Sequence, residues 1–147
     1  MSDPNLIVQK ALFSALNSSS ITLNGAPVPL YAYAPSGAAA PYILIDQIVT
    51  LPVAGAVACA YWECFFQFTI ITSFAIDGVA SDGPSLEISG QILSALEGQV
   101  LDLDQGFQMN PLTVVRTRKY AKSDSHSLKV LRYIEVKVKA FRNKQID

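Results

Sequence analysis

The chain has 147 residues, 50% of them apolar and only 16% charged, with a formal net charge of −1. That length holds one core, and a mean hydropathy of +0.30 excludes a disordered chain, which would be poor in apolar residues and rich in charge. The near-neutral total conceals a division: residues 1–115 carry one base, Lys10, against nine acids, whereas residues 116–147 carry ten bases against Asp124, Glu135 and Asp147.

No internal repeat or linker divides the sequence, so residues 1–147 read as one domain. Asp3 offers an N-cap and Pro4 a first helical position. Leu6, Ile7, Ala11, Leu12, Ala15 and Leu16 then recur at helical steps, and Asn17 with the following serines ends the helix. Asn24-Gly25 marks a tight turn between short extended segments, and Pro27 and Pro29 confine the second to an edge or a loop. Residues 34–41 are a loop by composition. Residues 41–49 read as a strand. Residues 51–58, apolar but holding Pro52 and Gly55, read as a hairpin connection or extended loop suited to cover by another subunit.

The clearest element is 59–74. Its even positions, Trp62, Cys64, Phe66, Phe68 and Ile70 among them, are apolar, and its odd ones include Glu63, Gln67, Thr69 and Ser73. That is the alternation of a half-buried antiparallel strand. At ~3.3 Å per residue it spans roughly 50 Å, so part of it is expected to project as a hairpin arm. Asp82-Gly83-Pro84-Ser85 opens a second helix whose apolar stripe is Leu86, Ile92, Leu93 and Leu96, with Gly98 as its stop. Residues 112–121 and 128–142 are strands joined by a turn at 122–127. In the last one the even positions are apolar except Arg132, and Lys129, Glu135, Lys137 and Lys139 alternate with them. The order predicts an α+β fold: an antiparallel sheet of about four main strands, two helices packed on its apolar face, and a long hairpin arm.

Chemistry is sparse. Cys59 and Cys64 have odd spacing on one strand, so they face opposite ways and cannot pair with each other; two lone thiols fit a reducing compartment. Met1 to Lys10 is unlike a secretory leader, and no uninterrupted apolar run is long enough for a transmembrane helix. The one histidine, His126, lies in a polar turn that does not fix the geometry of a catalytic triad. Two cysteines and a distant histidine do not make a zinc site, and Asp102 and Asp104 lack the rest of a calcium loop. No glycine pattern matches a phosphate-binding loop. No catalytic residue, cofactor or metal is therefore expected. The aromatics Tyr61, Trp62, Phe65, Phe66 and Phe68 are not interleaved with bases, as a nucleic-acid stacking surface would require. Arg116, Arg118, Lys119, Lys122 and Lys129 cluster around one turn. They are the candidate subunit-interface or channel-facing residues, and their plainer reading is a solvated basic face. Leu51, Val53 and Val57 are the candidate apolar interface loop.

The order of features resembles the tail terminator, or tail-completion, proteins of long-tailed phages. The resemblance rests on the helix with Ala11-Leu12-Phe13-Ser14-Ala15-Leu16, the Pro41-Tyr42-Ile43-Leu44-Ile45 strand, and the aromatic strand ending Phe66-Gln67-Phe68-Thr69-Ile70-Ile71-Thr72-Ser73. It continues through the helix around Ile92-Leu93-Ser94-Ala95-Leu96 and the closing strand 132–141. The 51–58 stretch departs from the pattern. The resemblance implies a structural virion protein that is not an enzyme. Assembled in the host cytoplasm and located at the tail or neck, it would form a ring, usually a homohexamer, that ends the tail tube and joins it to the head connector. Its partners would be its own copies, the tube protein and the head-completion protein, with passing contact to genomic DNA and none to a membrane. The charge division could then match opposite poles of neighbouring subunits, or place bases along the channel. Two alternatives remain: another neck or tail ring, such as a head-closure or tube protein, or a small enzyme or single-stranded nucleic-acid binder using the 116–129 patch.

Overall fold

Two strands of 17 residues set the architecture. The computed structural model describes residues 4–53, 59–123 and 126–143. β5 (Cys59–Ala75) and β8 (Ser127–Asn143) pair antiparallel without a break, from Cys59↔Asn143 to Ala75↔Ser127. Because the register never slips, the alternation read from the sequence holds over the whole ladder. Cys64, Phe66, Phe68 and Ile70 meet Val138, Val136, Ile134 and Arg132 on one face. The expected extra length of β5 is thus matched by β8 along its full run, about 55 Å at ~3.3 Å per residue.

The remaining strands flank this pair. β4 (Tyr42–Pro52) lies antiparallel on β5, and β7 (Thr113–Ser123) lies antiparallel on β8. These four long strands are the expected sheet. Two short ones extend it: β3 (Leu30–Tyr31) runs parallel to the start of β4, and β6 (Gln108–Met109) pairs the end of β8 beside β7. Ahead of them, β1 (Thr22–Leu23) and β2 (Ala26–Pro27) form the small hairpin expected at Asn24-Gly25. Both turn residues have positive φ, 52° and 79°, as a two-residue type I′ turn requires.

Helices α1 (Asn5–Ser19) and α2 (Gly83–Leu96) pack on the even-numbered face of β5. Val8, Leu12 and Leu16 of α1 and Ile88, Ile92 and Leu96 of α2 close a core with Ile43, Ile45, Phe66, Phe68, Ile134, Val136 and Val138. The expected stripes are shifted at their N-terminal ends. Leu6 and Leu86 are exposed, and Val8 and Ile88 are buried in their place. In α2 the inward positions also include Ser85 and Ser89; with small polar residues on the core side, hydropathy alone points the stripe the wrong way.

Both edge strands carry a β-bulge, at Ile48 in β4 and at Val115 in β7. An extra residue reverses the parity of everything beyond it. In β4, Ile43 and Ile45 face the helices, but Val49 and Leu51 pair with Phe65 and Glu63 on the other, helix-free face. In β7, Val114 pairs with Val136 on the core side, after which Arg116, Arg118, Tyr120 and Lys122 pair with Glu135, Tyr133, Leu131 and Lys129 on the open face. The stretch expected as a loop from 51 begins as strand: β4 runs to Pro52, and the Val53 N–H donates to the Tyr61 carbonyl at 2.9 Å.

Candidate interaction surface

Four of the five bases grouped in the sequence share the open face, Arg116, Arg118 and Lys122 on β7 and Lys129 on β8, while Lys119 alone turns to the helix side. Arg116 lies on the open face, and its Nε sits 3.0 Å from the Glu135 carboxylate directly across the strand pair. Lys119 lies on the helix side, where its Nζ donates to the Asp82 carboxylate at 3.1 Å. These two bases are therefore engaged within the chain. Arg118 stacks its guanidinium 4.8 Å from the centre of the Tyr133 ring, also its cross-strand neighbour, which flattens the side chain on the sheet and leaves the cation toward solvent. Lys122 and Lys129 stand directly opposite each other. Among the described residues neither has an ion-pair partner. Like charges in that position oppose pairing. The surface that remains positive is thus Arg118, Lys122 and Lys129, near the outer end of the β7–β8 hairpin, where the exposed His126 also lies.

Arg132, the exception in the apolar parity of β8, has a role the sequence did not disclose. It enters the core side under the start of α2, its side chain only 12% exposed. There its Nε donates to Ser85 Oγ at 3.1 Å and its Nη2 lies 3.7 Å from Asp82. Asp82 makes no side-chain capping bond to its own helix. Instead it gathers Lys119 and Arg132, tying the acidic start of α2 to the basic strands.

The apolar candidates are also redistributed. Leu51 is 49% exposed on the open face of β4, beside exposed Val49 and Ile48. Val53 is half-buried at the end of the strand, and Val57 lies outside the described residues. Around them the open face carries Tyr61 stacked on Phe141, with ring centres 5.9 Å apart, and Tyr31 beside Tyr42 at 6.0 Å. Sequence reasoning missed Ile48, Val49, Val115 and Tyr120 as exposed apolar residues; the bulges put all four there, directly or by changing parity, and a bulge leaves no mark in hydropathy.

A cavity of about 240 Å³ between the end of α1 and the β1–β2 hairpin is lined by Leu16, Ile21, Val28, Leu30, Ile43 and neutral polar neighbours, with no titratable side chain. Among the described residues, no group of three or more His, Cys, Asp or Glu side chains is placed to hold a metal. Cys64 is buried. Among the described residues, no helix is long and apolar enough to cross a membrane.

No family model and no curated protein matches the chain. Among solved structures, a chain from the virion of a native gene transfer agent particle is similar. It aligns with a TM-score of 0.67 at 15% identity, covering 95% of this chain and 99% of the other. The likeness therefore extends over essentially both whole chains, and it is a likeness of fold.

Proposed function

We propose that this chain is a structural protein of a phage-like virion, a ring subunit that ends the tail tube and joins it to the head connector. The observation that carries this reading is the end-to-end match to a chain of a virion particle at 15% identity. The order of features that resembles the tail terminators points the same way. The surface suits such a role physically: a strongly divided charge, exposed apolar residues on both edge strands, and a sheet face free of helices all offer area for contacts with copies and neighbours.

In this reading the ring is a homohexamer, and the chain makes and breaks no bonds. Arg118, Lys122 and Lys129 serve contacts to an acidic neighbouring surface or line the channel toward DNA, where positive charge would be felt as a salt-dependent attraction. Arg116 and Lys119 hold the subunit together instead. The test is location. Purified particles should contain the chain in few copies, and averaged images should place it as one ring at the head–tail junction. Absence from purified particles would overturn the reading; placement along the tube or at the head vertex would favour a tube or head-closure protein.

A further inference from the structure

We propose that copies of this chain join edge to edge, with the outer edge of β7 in one copy adding as an antiparallel strand to the outer edge of β4, residues 46–52, in the next. This rests on the ring reading above and names the surfaces that would build the ring.

Among the described residues the sheet ends in two unpaired lengths. β8 is the sole strand partner of β7, so one side of an 11-residue strand offers its N–H and C=O groups to solvent. On β4 the outer side is taken only at its start: β3 pairs Ile43 and Leu44, and the Ile43 N–H donates to the Pro29 carbonyl. From Asp46 to Pro52 no strand lies against it. Such edges are templates for another strand.

The two edges differ in character, and the difference selects the pairing. β7 carries Arg116, Arg118, Lys119 and Lys122 with no acid, while β4 carries Asp46 and no base. Two β7 edges would bring bases together, which disfavours a two-fold contact there; β7 against β4 brings opposite signs together. Each edge also offers apolar side chains for burial, Val115 and Tyr120 on β7 and Ile48, Val49 and Leu51 on β4. The bulges and charges that blunt these edges against indiscriminate pairing leave the unlike edge as the compatible partner.

Strand sense agrees. β4, β5, β8 and β7 are successively antiparallel, so β4 and β7 run in opposite directions. A rotation axis roughly along the strands keeps every direction from copy to copy, and β7 then meets the next β4 antiparallel. A contact between unlike surfaces, repeated by rotation, closes into a ring. In that ring no long edge is left free, the condition that a closed barrel meets.

Two variants of the full chain test this. The first, Ile48→Lys with Leu51→Lys, makes the β4 edge repel β7. The second, Arg118→Glu with Lys122→Glu, makes the β7 edge repel β4. Circular dichroism first establishes that both are folded; native mass spectrometry then reads assembly. Each variant alone should remain monomeric under conditions where the wild type forms oligomers, and an equimolar mixture should assemble again, because each restores the partner the other lacks. Variants that assemble alone, or a mixture that stays monomeric, would overturn the edge pairing. Should a variant not fold, amide hydrogen exchange of the wild type decides: residues 46–52 and 113–123 should exchange more slowly when concentrated than when dilute. Oligomers, or particles containing the chain, without that protection would overturn the edge pairing and leave the ring reading standing. A chain that is monomeric at every concentration and absent from particles would overturn both.

Discussion

Phe68 shows how far a single residue could be read in advance. Its even position on the aromatic strand predicts burial, and it lies fully buried between Ile45 and Ile134 under the helices. Phe68→Ala should cost about 3–5 kcal/mol, the lost transfer energy plus a cavity in a closely packed core; chemical denaturation measures it, and a loss below about 1 kcal/mol would mean the site is not in the core. Arg132 shows the opposite. A base at an apolar position looks like a flaw in the pattern, and only the nearby start of α2, with Asp82 and Ser85, gives it partners. No spacing rule links residues 50 apart in sequence. Asp82→Ala should destabilise the chain by about 1–2 kcal/mol, since it strips a charge-assisted partner from the largely buried Arg132 while the exposed Lys119 contributes little. Melting at matched salt checks this, and Glu87→Ala, an exposed acid on the same helix, should be nearly neutral by comparison.

At the scale of elements, the long strands were legible because β5 and β8 pair without a slip, so period-2 alternation survives along all 17 residues of each. The helices were legible as elements, but their first turns were not, since Ser85 and Ser89 sit inward where hydropathy expects solvent. The edge strands hid their orientation behind bulges at Ile48 and Val115. Within the basic cluster, Arg116 and Lys119 are paired with Glu135 and Asp82, and Arg118, Lys122 and Lys129 face solvent. The opposed Lys122 and Lys129 give a prediction that separates stability from assembly. Lys122→Glu should stabilise the isolated subunit by roughly 0.2–1 kcal/mol by turning a repulsive cross-strand pair into an attractive one, while weakening its self-association. Paired measurements of melting temperature and oligomer mass check both signs. A variant less stable than wild type would show that the two lysines do not repel in the free chain.

For the whole molecule, the α+β layers follow from the sequence because the apolar face of one sheet must be covered and two amphipathic helices are available to cover it. What surrounds the subunit could be read only as asymmetry of charge, and the structure adds a location for part of it: a basic edge strand at one side of the sheet and, at the other, a largely apolar edge strand whose one charged residue is Asp46. Association built on it should weaken as ionic strength rises, because exposed charges are screened over about 8–10 Å at 0.1–0.15 M salt; sedimentation across a salt series reads this. An oligomer insensitive to salt would place the contacts on the apolar open face instead. The central claim, a ring at the junction of head and tail, is tested most directly by cryo-electron microscopy of purified particles. A single ring is predicted at that junction, into which this fold, with its two helices and six-stranded main sheet among the described residues, fits with its four long strands roughly along the tail axis. A neck whose density is fully accounted for by other chains would contradict it.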